Sequence, residues 1–382
     1  MYSFSFQNPT RIEFGVGKEQ NIGAYMQEFG VKKTLLVYGS ERIKQSGLFD
    51  DVAASLQANG IEWVELGGVK SNPILSKVKE GIALARQHGV DSILSVGGGS
   101  CLDSAKAIAA GALYDGDVWD FFIGKAAVEQ NLPIFDIITL AATGSEMNNG
   151  GVVMNEQTQQ KYAVNGKDLF PKVSVINPKL QATVSRDYLV YSAADIIAHS
   201  IEGYFTASVQ PELINMQIEA NIKTVIRTTE ILLNNPNDLD ARGEFAWAAT
   251  MALNGLTYVG THGFSYPNHM IEHALSAICD VPHGAGLSVV MPAWMTWYKE
   301  QNRPQFERFA REIFGLKTAE EGIAALKAWF DKIGTPTTLA QLGVNDEQLA
   351  AVIDNAVQNA VAWQMNETYT QAAITEVFEL AK

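Results

Sequence analysis

SILSVGGGSCLDSAKAIAAGA, residues 92–112, spans a strand, a turn and a helix start, and its reading decides the fold class. SILSV runs without polar alternation, as does a strand buried on both faces of a parallel sheet. Gly97, Gly98, Gly99 and Ser100 follow, and from Cys101 the small apolar residues read as a helix. Glycines let a backbone approach an anion closely, and the N–H groups at a helix start carry partial positive charge, so a phosphate fits this turn. A tight strand-to-helix turn would look the same, and GGGS is not the dinucleotide fingerprint G-x-G-x-x-G.

Working outward, the same alternation recurs. KTLLVYG (33–39) precedes the helical GLFDDVAASLQANG, and IEWVEL precedes SKVKEGIALARQHG. This is the βαβ pattern of a parallel sheet covered by helices on both sides. PIFDIITLAA (133–142) ends in the polar turn TGSE, and KVSVINP (172–178) reads as the last strand. After Pro178 nearly every long segment is helical, from DYLVYSAADIIAHSIEGYFT onward. The expected division is an α/β domain over 1–178 and an all-helical domain over 179–382, with a tight junction and a cleft beside it. A length of 382 residues agrees with two domains at roughly 150 residues each.

Further strand ends extend the phosphate reading. Asp103 and Lys106 lie on the first helical turns after the glycines, and a second strand end supplies the small hydroxyls of Thr139, Thr143 and Ser145, with Gly144 between them. Loops at the carboxyl ends of parallel strands are where open α/β sheets bind ligands. A third strand end, Tyr38-Gly39-Ser40-Glu41-Arg42, stands where an adenosine ribose would lie. Ser40 and Arg42 suit a 2′-phosphate, whereas Glu41 suits a free 2′-hydroxyl.

A second signal comes from histidines. The chain has six, and His262, His269, His273 and His283 fall within 22 positions. Asp195 and His199 stand four apart in a helical stretch, so both project from one face, and His269 and His273 repeat that spacing. His283 follows the turn Asp280-Val281-Pro282. Imidazoles with a carboxylate suit a borderline divalent cation such as Fe²⁺ or Zn²⁺. Five candidates compete for about four positions, with His262 a sixth nearby, and spacing alone does not choose among them.

Composition excludes several classes. Apolar residues make up 47% and charged residues 18%, which excludes disorder. The net charge of −14 repels phosphate backbones and anionic membranes, so no nucleic-acid or membrane partner is expected. Cys101 and Cys279 form no disulfide framework, and the start MYSFSFQNPTRIEFG has no basic n-region or apolar h-region. A reducing, cytoplasmic setting is expected. No run of about 18 apolar residues is present.

These motifs together resemble the iron-containing (group III) alcohol dehydrogenase family: NPTRIEFG, GGGSCLDSAK, TLAATGSEMN, DIIAHSIE and NHMIEHALSAICDVPHGAG. The likeness covers essentially the whole chain and is strongest to the butanol dehydrogenase and NADPH-dependent aldehyde reductase branch. It implies a Rossmann-like NAD(P)-binding domain followed by a helical metal-binding domain, the dehydroquinate synthase-like architecture. It further implies Asp195, His199, His269 and His283 as ligands to one divalent metal, with His273 a non-ligand histidine beside the nicotinamide and a proton relay. Cofactor contacts matched by the likeness are Gly97, Gly98, Gly99, Ser100, Asp103, Thr139, Thr143, Ser145 and Lys161, with Gly39 and Ser40 at the adenosine end. Ser40 stands where the family commonly has an NAD-selecting acid, which leans the expectation toward NADPH.

The resulting expectation is hydride transfer between NAD(P)H and a small primary alcohol or aldehyde of butanol size, by a homodimer. Rivals on the same scaffold are a polyol dehydrogenase such as a glycerol dehydrogenase, a dehydroquinate-synthase-like lyase, and a non-catalytic sensor. The segments flanking 195–200 and 262–286 carry almost no Lys or Arg, which disfavours a phosphorylated substrate.

Overall fold

The computed structural model describes residues 1–382. Two compact units emerge, Gln7–Val184 and Ser185–Lys382, with Met1–Phe6 grouped with the second. The division between these units lies six residues beyond the expected 178/179. Asn177 caps the short helix Pro178–Gln181 through Lys179 N, and Arg42 donates to the Thr183 carbonyl, so these residues stay with the first unit.

The first unit is a six-stranded, wholly parallel sheet in the order β1-β8-β5-β4-β2-β3. The strands are β1 (Arg11–Phe14), β2 (Lys33–Tyr38), β3 (Glu62–Leu66), β4 (Ser92–Gly97), β5 (Ile134–Ile138) and β8 (Val173–Ile176). Side chains in a strand alternate faces, so β2 and β4 bury both. Leu35, Val37 and Ile93 pack with the helices Leu75–His88 and Gly99–Ala112, while Leu36, Tyr38, Leu94 and Val96 pack with Ile22–Gln27 and Leu48–Ala58. From β2 the chain goes outward to β3, then returns to β4 on the other side. The strand order thus reverses between β2 and β4, the position at which such sheets bind nucleotides.

One element of this unit is absent from the sequence reading: an antiparallel hairpin of β6 (Gly150–Asn155) and β7 (Gln160–Asn165). Its two leading glycines and polar tip, Glu156–Gln159, mask a period-2 pattern that the alternating burial of β6 makes plain. At the chain start, only Arg11–Phe14 of the β-rich SFSFQNPTRIEF becomes a strand, paired to β8.

The second unit is helical. Its centre is the helix Arg186–Thr206, buried from Leu189 to Phe205 except for Tyr191, so that its polar residues Asp195, His199 and Glu202 are buried with its apolar ones. Ser185 caps its N-terminus through Tyr188 N. Around it lie Glu212–Asn234, Pro267–Cys279 and His283–Tyr298, with Phe205 stacked on Phe306 at 4.0 Å. No helix is long and apolar enough to cross a membrane.

Candidate active site

In the helical unit three helices bring titratable side chains together in the interior. Asp195 and His199, one turn apart, come from 186–206, His269 and His273 from 267–279, and His283 is the first residue of 283–298. The connection between the last two helices is set by Asp280, which closes its helix in the left-handed region (φ 51°), and by Pro282 at the next N-cap.

Asp195 Oδ1 is the meeting point. His199 Nδ1 lies 3.4 Å from it, His269 Nε2 3.6 Å and His283 Nε2 3.7 Å. Ligands about 2.1 Å from a tetrahedral cation are about 3.4 Å from one another, so these separations are those of a coordination shell rather than of hydrogen bonds. Asp195 Oδ1, His199 Nδ1 and His269 Nε2 are buried atoms with no hydrogen-bond partner. Buried polar atoms without partners are costly, and three of them aimed at one point fit a divalent cation with mixed N/O ligands. Asp195, His199 and His269 form one potential metal-holding group, and Glu272, His273 and His283 a second.

The electrostatics of these side chains agree. Burial acts to raise the Asp195 carboxyl, but the His199, His269 and His283 rings outweigh it and hold the group well below the usual range. Burial pushes His199 down to about 3. His269 is also penalised by burial, yet Asp195 and Glu202 flank it and bring it up to about 9. A proton on His269 thus occupies charge space that a metal would take over.

Two glutamates that the sequence reading missed stand behind the ligands. Glu202 Oε1 accepts from His269 Nδ1 at 2.8 Å, and Glu272 Oε2 accepts from His283 Nδ1. The signal for Glu202 was present, since it follows Asp195 by seven positions and so shares its helix face. His273 is buried, with its ring centroid 5.6 Å from that of His283, 6.3 Å from His269 and edge-on to Trp363 at 5.3 Å. His262 is elsewhere: it is exposed and stacks on Tyr2 at 4.3 Å.

The glycine-loop residues cluster at the strand ends of the first unit. Gly98 is the N-cap of 99–112 and offers no side chain, leaving the helix start without a side-chain cap. A Cβ on Gly99 would lie 2.3 Å from Thr143 Oγ1, so only glycine lets the two loops touch. Thr139 N donates to Gly97 O, Ser145 N to Thr143 Oγ1, and Ser100 Oγ to the Ser71 carbonyl. Gly39 and Ser40 follow β2, and Lys161 on β7 is buried, donating to Asn72 Oδ1 at 3.2 Å.

Asp103 and Lys106 clamp this loop pair. Asp103 Oδ1 accepts from Ser145 Oγ (2.7 Å) and Oδ2 from Val152 N (3.0 Å). Lys106 Nζ meets five oxygens at 2.7–2.9 Å: Ser145 O and Oγ, Asn148 O and Oδ1, and Gly150 O. Burial pushes the ammonium down to about 8, against the pull of Asp103 and two further acids. Both carboxylate oxygens of Asp103 are thus engaged within the protein, binding the first loop's helix to the segment after β5.

The family described as iron-containing alcohol dehydrogenase matches residues 9–178, and the C-terminal part of the Fe-containing alcohol dehydrogenase family matches 189–382. Probable NADH-dependent butanol dehydrogenase 1 of Bacillus subtilis (strain 168) is 38% identical, over 95% of this chain and 96% of its own. NADPH-dependent aldehyde reductase YqhD of Escherichia coli (strain K12) is 28% identical over the full length of both. Among solved structures, NADH-dependent butanol dehydrogenase A from Thermotoga maritima superposes with a TM-score of 0.96 at 44% identity, covering 100% of this chain and 99% of that one.

Proposed function

This chain belongs to the iron-containing alcohol dehydrogenase family, an NAD(P)-dependent oxidoreductase of alcohols and aldehydes, and we propose that its substrates are small primary alcohols and aldehydes of butanol size. The observation that carries the reading is the convergence of unpartnered, buried Asp195 Oδ1, His199 Nδ1 and His269 Nε2, with His283 Nε2 beside them. When bound there, a divalent cation supplies Lewis acidity to the substrate oxygen, and the nicotinamide supplies or accepts the hydride.

The chain's own residues do the rest. Asp195, His199, His269 and His283 would hold the cation, Fe²⁺ or Zn²⁺, with Glu202 and Glu272 behind two of the rings. His273 exchanges the proton of the substrate hydroxyl with solvent; its neighbours His283 and Trp363 hold its ring in place. Gly97–Ser100 receive the pyrophosphate at the uncapped helix start, with Thr139, Thr143 and Ser145 as hydroxyl contacts and Lys161 reaching the nicotinamide side. Asp103 serves through its hold on Ser145.

Cofactor choice leans to NADPH. Glu41 is drawn to Tyr38 Oη and Lys44 Nζ, each 3.3 Å away, leaving Ser40 rather than an acid at the end of β2. The relatives divide on this point, with the B. subtilis protein named for NADH and the E. coli protein for NADPH. A homodimer is the proposed assembly, with β1, paired only to β8, as the sheet edge open to a second copy. The two free cysteines favour a cytoplasmic setting.

Butanal reduction followed at 340 nm tests the reading, with NADH and NADPH in parallel, after stripping and reloading with Fe²⁺, Zn²⁺, Mn²⁺ or Co²⁺. Activity is expected only in reloaded samples and higher with NADPH. Full activity without stoichiometric metal would overturn the ligand assignment, and a large preference for glycerol over butanol would favour the polyol rival.

A further inference from the structure

Glu202 and Glu272 are fully buried carboxylic acids, one hydrogen-bonded to His269 and the other to His283. A buried carboxylate is retained at low cost only when its oxygens are satisfied, and both are. We propose that these two side chains are positioning residues that set the metal affinity of the site, by fixing the tautomer and aim of His269 and His283. The inference rests on the metal reading above.

Glu202 receives four donors. His269 contributes its backbone N (3.0 Å) and ring Nδ1 (2.8 Å) to Oε1, and Asn268 its backbone N (3.4 Å) and side-chain Nδ2 (3.0 Å) to Oε2. The two backbone groups belong to the first turn of 267–279, a helix with no side-chain cap of its own and Pro267 in that turn. Glu202 therefore caps this helix from a neighbouring one, where the positive end of the dipole favours a carboxylate. One side chain thus locates both the helix and the ring that projects from it.

Glu272 acts on the other imidazole. Its Oε2 accepts from His283 Nδ1, and its Oε1 accepts from Ser276 Oγ. Space for the carboxylate exists because residue 286 is glycine: a Cβ there would stand 2.6 Å from Glu272 Oε1. In both pairs the ring donates Nδ1–H to a carboxylate, so the lone pair remains on Nε2, the atom that faces Asp195 Oδ1 at 3.6 or 3.7 Å. A negative partner on the far nitrogen also raises the basicity of the near one. A neutral partner of the same shape, Gln, could instead offer its N–H and trap the wrong tautomer.

The experiment compares the full-length wild type with Glu272→Gln, Glu202→Gln, Glu202→Asp and Asp195→Asn. Zn²⁺ affinity is measured by chelator competition, ligand geometry by the visible spectrum of the Co²⁺ form, and fold by the metal-free Tm. Wild type is expected to bind one ion per chain and Asp195→Asn none. Glu272→Gln and Glu202→Gln should bind about 10- to 100-fold more weakly, with a shifted Co²⁺ spectrum, and Glu202→Asp should recover part of the loss. If Glu202→Gln fails to fold, Glu272→Gln and Glu202→Asp carry the test. A role confined to packing would lower the metal-free Tm and leave the Co²⁺ spectrum unchanged. Zn²⁺ affinity within twofold of wild type in Glu272→Gln, with that unchanged spectrum, overturns the inference while leaving the metal reading intact. A wild type that binds no ion overturns both.

Discussion

Around Gly97–Ser100 binding capacity comes from leaving side chains out, whereas around Asp195 it comes from aiming them at one point. The glycine loops expose backbone N–H groups, and their shape is held from behind by Asp103 and Lys106. The metal set consists of side-chain atoms in a buried interior, each held by its helix and, for His269 and His283, by a carboxylate. A backbone site tolerates change in most side chains but not added bulk at one or two positions. A side-chain site tolerates little change in the ligands themselves.

That contrast can be broken at its strongest point first. Asp195→Asn should remove bound metal and lower kcat/KM for butanal by about a thousand-fold, equivalent to roughly 4 kcal/mol of lost electrophilic stabilisation. Nucleotide binding, measured by fluorescence of the reduced cofactor, should persist. Loss of both together would show that the two sites do not act separately.

Acid should weaken the metal site next most strongly. In the metal-free fold His269 titrates at about 9, above its unfolded value of about 6.5. Metal must displace that proton, so apparent Zn²⁺ affinity should climb by about tenfold per pH unit from 7 toward 9 and level off above. The metal-free protein should behave oppositely. The raised group contributes stability fully below about pH 6.5, and that contribution is lost as pH rises through about 9. Metal titrations and melting curves across pH 6 to 9.5 check both slopes.

Lys106→Met probes the clamp. Five oxygens would lose their ammonium, at a cost of about 3 kcal/mol or more in stability. KM for the reduced nucleotide should rise about tenfold at unchanged metal stoichiometry. An unchanged nucleotide KM would separate the clamp from binding.

Gly99→Ala should have the smallest effect, about 1–3 kcal/mol from overpacking against Thr143. Combining it with Thr143→Ala removes Oγ1 and Cγ2, the two nearest atoms struck, and keeps Cβ at 2.9 Å, so part of the Tm should return. Failure to restore it would place the strain elsewhere than Thr143.

How much of this was legible in the sequence varies by region. The strands KTLLVY and SILSVG were readable because both faces of each are buried, which leaves an apolar run. The hairpin 150–165 was not, since Gly150, Gly151 and the polar tip resemble a loop until β6 and β7 pair. Residues 179–184 and Met1–Phe6 attach to their units through contacts remote in sequence, Arg42 with Thr183 and Tyr2 N with Gly260 O among them. Asp103, matched by family likeness to a cofactor contact, turns its oxygens to Ser145 and Val152, partners 42 and 49 positions away.

The sequence by itself determined the local faces. Asp195 with His199 and His269 with His273 share a side of their helices because the α-helix repeats every 3.6 residues, and the glycine turn follows β4 because nothing else lets backbone approach so closely. Only the tertiary structure decided which of the histidines converge, which one turns aside to stack on Tyr2, and that Glu202 and Glu272 stand behind two of them. Periodicity fixes direction within one helix, whereas distances across helices are set by how the buried faces pack.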